Sequence, residues 1–128
     1  MSTVRHLTLA EVADLAGPAC LANGQRAELR DPGLLESAVH RPRARMLGAA
    51  AYTDLYEQAA ALLHGIAVNH PLIDGNKRTA WLAAATFLAV NGVDLGGVDQ
   101  DAAYGLVIDV AAGVEADVAG IAERLRRM

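Results

Sequence analysis

Cysteine and aromatic residues are scarce in this chain of 128 residues. The single cysteine, Cys20, excludes an internal disulfide and a cysteine-based metal cluster, and is expected to be a small core residue in a reducing compartment. Aromatic residues make up 4% of the chain although hydrophobic residues reach 53%, so alanine and leucine supply most of the apolar content. Because both residues favour packed helices over a sheet, the composition predicts an all-α fold.

The chain also lacks an excess of positive charge and a long hydrophobic run. Its net charge of -4 argues against broad electrostatic binding to nucleic acid or to an anionic membrane. The longest apolar stretch, from Trp81 to Val90, is too short to span a bilayer, which needs about 20 residues. The N-terminus has no apolar segment typical of a signal peptide. We therefore expect a cytoplasmic protein with one domain, long enough to bury a core.

Capping signals divide the chain into about six helices. Four of them begin at residues that accept hydrogen bonds from a helix start: Thr8 with Glu11 as a capping box, Asp31 followed by Pro32, Asp54, and Asp99. The first of these helices is expected to end at Asn23-Gly24, the second at about His40, and the third before Pro71. Residues 41–52 have no clear period and predict a loop or a short hairpin.

Two further helices are predicted from their apolar patterns. Residues 76–91 are apolar almost all round, which is typical of the buried centre of a bundle. A stripe of apolar residues marks the last helix, whose final arginines complement its dipole: Val118, Ile121, Ala122 and Leu125, with Arg124, Arg126 and Arg127. We expect His64 to be a core or supporting residue, and Tyr52, Tyr56 and Tyr104 to pack rather than to act as catalysts.

The segment from His70 to Ala80 concentrates the chemically active side chains. One imidazole, one carboxylate, one carboxamide and two cations fall within the nine residues from His70 to Arg78. At a helix start, backbone N–H groups have no intrahelical partners, and together with the macrodipole they form an anion site. Two cations at such a start oppose the dipole, so a bound anion explains them better than a solvated face does. This arrangement predicts a site for a polyphosphate.

Each residue of the segment has a role in this interpretation. Gly75 allows an oxyanion to approach the backbone, Asn76 can donate through its amide, and Lys77 and Arg78 add positive charge. The carboxylate of Asp74 would repel phosphate unless a cation lay between them, and Mg²⁺ binds in this way to one or two carboxylates and a substrate phosphate. His70 supplies an imidazole, the side chain that most often acts as a general base near neutral pH. The predicted reaction is the attack of a hydroxyl on a nucleotide phosphate.

The segment resembles the motif of the Fic/Doc family, His-Pro-Phe-x-Asp/Glu-Gly-Asn-x-Arg. The matching residues are His70, Pro71, Asp74, Gly75, Asn76 and Arg78, with Leu72 in place of the usual Phe. The similarity extends over residues 8–95, including the segments 30–38 and 54–60. The resemblance implies a single Fic/Doc domain over residues 1–128, a compact helical bundle around a buried central helix.

Two positions indicate the subtype within the family. Many Fic enzymes that transfer adenylyl groups have Gly after the Asn and a second Arg three residues after the first, where this chain has Lys77 and Trp81. Both residues resemble the Doc-type ("death on curing") toxins. That resemblance implies a protein kinase that uses ATP and Mg²⁺ to phosphorylate a threonine of elongation factor Tu. Such a kinase would halt translation and would be neutralised by a cognate Phd-like antitoxin.

The resemblance also implies roles for individual residues. His70 would be the catalytic base and Asp74 the Mg²⁺ ligand, and the phosphate cradle would consist of Gly75, Asn76, Lys77 and Arg78. A flap before the motif would dock the target as an added strand, and its expected residues are Arg43, Ala44, Arg45, Met46, Leu47 and Gly48. The same region could equally be a simple connector. Two other functions stay open: a nucleotidyl transferase that attaches AMP to a protein hydroxyl, and a catalytically silent binding module.

Overall fold

Six α-helices and one small hairpin make up the described part of the chain. The computed structural model describes residues 3–21 and 29–128. In chain order the elements are α1 (Leu9–Leu21), α2 (Pro32–His40), a 3₁₀ turn (Arg41–Arg43), β1 (Arg45–Met46), β2 (Ala49–Ala50), α3 (Leu55–Asn69), α4 (Asn76–Val90), α5 (Gln100–Ala111) and α6 (Val118–Arg126). The all-α prediction is confirmed, and residues 41–52 contain the short hairpin. In the described ranges, no helix has the length and apolar content needed to cross a membrane.

Side chains cap the helices where the sequence predicts them to. The Thr8 hydroxyl accepts from the Glu11 N–H at 3.1 Å, and the Glu11 carboxylate accepts from the Thr8 N–H at 2.9 Å. The three aspartates follow one pattern, accepting from the N–H three residues later: Asp31 from Leu34, Asp54 from Glu57 and Asp99 from Ala102. The predicted helix end at Asn23-Gly24 and the side chain of Cys20 lie outside the described residues.

Residues 76–91 were expected to form the buried central helix, but in the structure that helix is α3. Every residue from Gln58 to Ala67 is buried except the half-buried His64. The helix packs against α2, the 3₁₀ turn, α4, α5 and α6. In contrast, α4 buries one face, and Ala89 and Val90 are exposed on another. An all-round apolar pattern made largely of alanine does not require burial on every side, because exposing so small a side chain costs little.

The last helix closes over α3 and is joined to it by charge. The predicted stripe is correct, since Ile121, Ala122 and Leu125 are buried. At its end, the Arg126 guanidinium lies 3.0 Å from the Asp54 carboxylate. Arg126 therefore does more than complement the dipole of its own helix, because this ion pair connects the end of α6 to the start of α3.

A glycine allows α2 and α3 to approach closely. A Cβ atom on Gly65 would lie 2.9 Å from the Cβ and 3.2 Å from the Cα of Ala38. Contacts this short force a shift of the backbone, so the spacing of the two helices depends on the missing side chain. The helix pair in turn positions the chain on both sides of the candidate site, because α2 leads into the hairpin and α3 ends at His70.

Replacing two helical glycines by alanine should have opposite effects on stability. Gly65→Ala should lower the free energy of unfolding by about 1–3 kcal/mol, through overpacking against Ala38. Gly105→Ala, in α5 with nothing within 4 Å of the added Cβ, should raise it by about 0.5–1 kcal/mol through helix propensity. Urea denaturation of both variants measures the difference. Equal effects in the two variants would contradict the close packing of α2 against α3.

Candidate active site

His70 stands at the C-terminal end of α3 in a left-handed backbone conformation. Its φ and ψ are 50° and 58°, and its N–H donates to the Ile66 carbonyl at 3.3 Å. The imidazole belongs to an exposed residue, followed at once by Pro71, which cannot continue the helix. A non-glycine residue in this region costs about 1–3 kcal/mol and is held there by its surroundings. The structure therefore fixes the direction in which the chain leaves α3.

Arg30 holds this turn from the other side. Its Nε donates to the His70 carbonyl at 2.7 Å, and its Nη2 donates to the Asn69 carbonyl at 2.8 Å. Its backbone N–H donates to the Pro71 carbonyl at 2.8 Å, and Leu29 pairs with Leu72 in an isolated antiparallel bridge. The guanidinium thus satisfies carbonyls that the end of α3 leaves without helical partners. The sequence did not predict this role for Arg30, because Arg30 and His70 lie 40 residues apart in the chain.

Asn76 fixes the loop between α3 and α4. Its amide Nδ2 donates to the Leu72 carbonyl at 2.9 Å, and its Oδ1 accepts from the Leu72 N–H at 2.9 Å. Leu72 itself is 1% exposed, so an apolar side chain packs the loop into the core at the position where the family has Phe. Asn76 also begins α4, and its use as a phosphate donor stays a prediction beside this contact with the loop.

The start of α4 differs from that of the other capped helices. Gly75 occupies the N-cap with φ 80° and ψ 16°, and no side chain of the described residues caps this helix. Lys77 and Arg78 are exposed within its first turn, and Asp74 is half-buried just before it. Where α2, α3 and α5 each place a carboxylate, α4 places two cations around free backbone donors. The structure thus places Lys77 and Arg78 at an uncapped helix start, and the anion site there stays a prediction.

A groove of about 610 Å³ runs from this helix start between α4 and α5. Its walls come from two helices: Gly75, Lys77, Arg78, Trp81 and Leu82 on one side, and Gln100, Ala103, Tyr104, Val107 and Ile108 on the other. His70 and Asp74 lie on the preceding turn and do not line the groove. Tyr104 was expected to pack, but it is 68% exposed and faces this space. Tyr104 has the same helical spacing as the apolar residues of α5, so the sequence alone does not show whether its side chain lies in the core or in a groove.

The flap region forms a two-strand hairpin. Leu47 and Gly48 make its tight turn, with φ values of 52° and 82°, and Arg45 pairs with Ala50. Met46 and Ala49 are the pair that closes the turn, and the Ala51 N–H donates to the Ala44 carbonyl at 2.9 Å. In an antiparallel hairpin, hydrogen-bonded pairs alternate with pairs that are not hydrogen-bonded to each other. The backbone N–H and C=O groups of Arg45 and Ala50 therefore point outward. Met46 is 70% exposed and Leu47 is fully exposed. Arg43 and Ala44 precede the first strand.

A polar cluster anchors the base of the flap to α3. Arg41 donates to the His64 Nδ1 at 2.6 Å and to the Tyr52 hydroxyl at 3.3 Å. The Gln58 amide donates to the Tyr52 carbonyl at 3.2 Å. Since arginine has only donors, Nδ1 of His64 must be its unprotonated acceptor. Burial, and then the charge of Arg41, lower the pKa of His64 below its ordinary value. His64 is thus the supporting residue that the sequence predicts.

Comparison with known proteins places the whole site in a family context. Residues 6–88 match the family described as Fic/DOC. The chain is 46% identical over 116 residues to "Toxin Doc" of Mycolicibacterium smegmatis, covering 85% of this chain and 89% of that protein. It is 34% identical over 128 residues to "Protein kinase doc" of Escherichia phage P1, covering 98% of this chain and 96% of that protein. The matched region includes the flap, α3 and most of α4.

The contact between Arg41 and His64 predicts a dependence of stability on pH. The unfolded chain protonates His64 near pH 6.5, whereas the folded chain does so only at lower pH. The contribution of His64 is therefore complete above about pH 6.5 and is lost as the pH falls through its lowered pKa. Urea denaturation at several pH values should show a smaller acid loss in His64→Gln than in the wild type. His40→Gln, which changes an exposed histidine, should leave the loss unchanged. Identical pH profiles in all three proteins would contradict the assignment.

Proposed function

Because the chain belongs to the Fic/DOC family, we propose that it is a Doc-type toxin with protein kinase activity. It transfers the terminal phosphoryl group of ATP to a Thr or Ser hydroxyl of elongation factor Tu and so halts translation. Relatives named as a toxin and as a protein kinase, each matched over most of its length, support this proposal. The observation that carries it is the uncapped start of α4, with Lys77 and Arg78 beside its free backbone donors and His70 on the adjoining turn.

The proposed reaction uses the chain's residues in two ways. The N–H groups at the start of α4, with Lys77 and Arg78, hold the phosphates and stabilise the charge that develops during transfer. His70 takes the proton from the target hydroxyl as its oxygen bonds to the terminal phosphorus and the bond from that phosphorus to the ADP oxygen breaks. Asn76 contributes by fixing the loop, because its amide is bonded to the Leu72 backbone.

The donor set before α4 suits Mg²⁺. The described residues contain no group of three or more His, Cys, Asp and Glu side chains that could hold a metal by themselves. Mg²⁺ is usually bound by one or two carboxylates together with substrate phosphates and water, and Asp74 supplies one carboxylate beside the proposed phosphate site. When bound with ATP, the ion would neutralise part of the phosphate charge. A protein site that is incomplete without the nucleotide agrees with this mode of binding.

Two macromolecular partners complete the proposal. The hairpin from Arg43 to Ala50 has outward-pointing backbone groups on both strands and an exposed apolar tip, which suit the addition of a target segment as a further strand. A cognate Phd-like antitoxin would neutralise the toxin, and similarity to a relative named as a toxin supports an antitoxin partner. Adenylyl transfer is disfavoured by Lys77 and Trp81, which replace the Gly and second Arg of many adenylylating Fic enzymes.

Loss of the proposed base should abolish the modification. Purified protein is incubated with elongation factor Tu, ATP and Mg²⁺, and the intact mass of the target is measured. The wild type should add one phosphoryl group, and His70→Ala should add none and lose toxicity to the host, since no other group takes the hydroxyl proton. His40→Ala, which removes an exposed histidine at the end of α2, should behave as the wild type. An adenylyl gain would overturn the kinase assignment, and full toxicity of His70→Ala would overturn the mechanism.

Proline in the flap tests the docking of the target. Arg45→Pro and Ala50→Pro each remove one outward-pointing N–H while sparing the pair that closes the turn. The variant on the edge that receives the target should raise the KM for elongation factor Tu by about tenfold. A change of this size corresponds to the free energy of one or two lost hydrogen bonds. The variant on the other edge serves as the control, and ATP affinity should not change in either. Unchanged KM values in both variants would show that the hairpin is only a connector.

A further inference from the structure

Positive charge without negative charge marks the segment that carries the flap. From Ser37 to Thr53 the chain has arginines at positions 41, 43 and 45 and no Asp or Glu. The chain as a whole has a net charge of -4, so this segment is opposite in sign to the rest of the protein. Arg43 and Arg45 are exposed, whereas Arg41 is half-buried at the base of the flap. A local field of this sign attracts anionic groups.

The arginines near the flap differ in their partners from those at the two ends of the chain. Arginines at the ends pair with carboxylates of the protein: Arg5 with Glu11, Arg124 with Asp109, Arg126 with Asp54 and Arg127 with Glu123. Within the described ranges, no ion pair includes Arg41, Arg43 or Arg45. Arg41 bonds instead to two side chains of the polar cluster at the flap base, and Arg45 uses one of its donors on the Gly48 carbonyl. Arg43 and Arg45 therefore keep donors for the carboxylates of a partner.

Neighbouring features indicate a peptide rather than a nucleic acid as the anionic partner. The outward-pointing N–H and C=O groups of Arg45 and Ala50 suit pairing with an extended backbone. The exposed tip of the hairpin consists of the aliphatic Met46 and Leu47, on which a base could not stack as it does on an aromatic ring. A nucleic acid would also be repelled by the net charge of -4 of the whole chain. The chemistry fits an extended peptide that carries carboxylates.

The position of the flap favours the substrate segment as the occupant. Arg41, at the base of the flap, lies 2.6 Å from Nδ1 of His64 on α3. His64 precedes His70 by six residues, which is roughly 9 Å along the axis of α3. An extended segment covers this distance with about three residues. A hydroxyl close to the segment held on the flap can therefore reach the proposed base.

We propose that Arg43 and Arg45 select target segments in which carboxylates flank the hydroxyl that is phosphorylated. The inference rests on the proposed function for the identity of the reaction, and it adds the chemistry of the segment that the enzyme accepts. A guanidinium can bind a carboxylate through two parallel hydrogen bonds, and arginines two positions apart match carboxylates at alternate positions of an extended strand. The two arginines act on docking and not on the transfer step, so they determine the KM for the target and leave kcat unchanged.

Steady-state phosphorylation of elongation factor Tu at low and at high salt tests this selection. Arg43→Gln and Arg45→Gln should each raise the KM for elongation factor Tu about threefold to fivefold at low salt, without a change in kcat. The increase should become smaller at high salt, because salt screens exposed charges. Arg127→Gln changes an arginine whose side chain is 76% exposed at the end of α6, and should behave as the wild type. Because Arg45 also bonds to the hairpin turn, Arg43→Gln keeps the test informative if Arg45→Gln disturbs that turn.

A reversal of charge gives a stricter test with synthetic peptides. Three fluorescently labelled peptides of equal length share one threonine and alternating valines, and the intervening residues are all glutamate, all glutamine or all lysine. Fluorescence anisotropy should show that the wild type binds the glutamate peptide most tightly and the lysine peptide least. The double variant Arg43→Glu, Arg45→Glu should reverse this order, because its carboxylates repel glutamate and attract lysine. Equal affinities for the three peptides in the wild type, or the same order in the double variant, would overturn the proposal.

The outcomes separate this inference from the proposed function. Peptide binding in the expected order, without phosphorylation of elongation factor Tu, supports the docking of acidic segments and counts against the kinase assignment. Phosphorylation with an unchanged KM for elongation factor Tu in Arg43→Gln and Arg45→Gln supports the kinase and overturns the selection. A single-stranded DNA oligonucleotide that binds more tightly than the glutamate peptide, and is lost in the double variant, overturns it in favour of nucleic acid. Weaker inhibition by the antitoxin, with an unchanged KM for the target, assigns the flap arginines to the antitoxin and also overturns it.

Discussion

The turn between α3 and α4 is held by hydrogen bonds to its backbone, and the geometry of the candidate site depends on them. Arg30 bonds the carbonyls of Asn69 and His70 from one side, and the Asn76 amide bonds both backbone groups of Leu72 from the other. Between these clamps the chain adopts two left-handed conformations, at His70 and at Gly75. These hydrogen bonds offset the conformational free energy that the left-handed residues cost. They are made by Arg30 and Asn76, so the turn is held without the side chain of His70. His70 and the first residue of α4, Asn76, are thereby joined by five residues whose backbone is held in place.

The turn joins two helix ends of opposite dipole charge, the negative end of α3 and the positive start of α4, and each has cations beside it. At the end of α3, the negative pole is covered by the guanidinium of Arg30, which is one of the favourable placements for a cation. At the start of α4, the positive pole has no carboxylate from a cap and is instead followed by Lys77 and Arg78. Each unfavourable cation costs about 0.3–1 kcal/mol, a cost that an anionic ligand reverses. By contrast, α2, α3 and α5 each begin with an aspartate that caps the helix.

Local signals allowed most of the helices to be predicted, and long-range contacts explain what was missed. The caps at Asp31, Asp54 and Asp99 could be predicted because each acts on an N–H three residues away. The position of the central helix could not, because α3 and α4 have similar apolar content, and only packing decides which of them is enclosed. Within the site, residue types indicated an anion site at 75–78, but the amide of Asn76 could serve either phosphate or the loop. In the structure this amide is bonded to the Leu72 backbone, and its role with phosphate stays a prediction.

Arg30 and Tyr104 show two different reasons why a site residue escapes detection in a sequence. Arg30 acts on backbone carbonyls, so its partner carries no residue type that a motif could specify. Tyr104 lies on a helix whose apolar spacing is equally consistent with core and groove, and it is exposed beside a groove of about 610 Å³ between α4 and α5. The motif therefore specifies the residues of the turn and of the start of α4. Residues outside the motif hold the turn that carries His70 and line the groove beside α4, and their positions depend on how the helices pack.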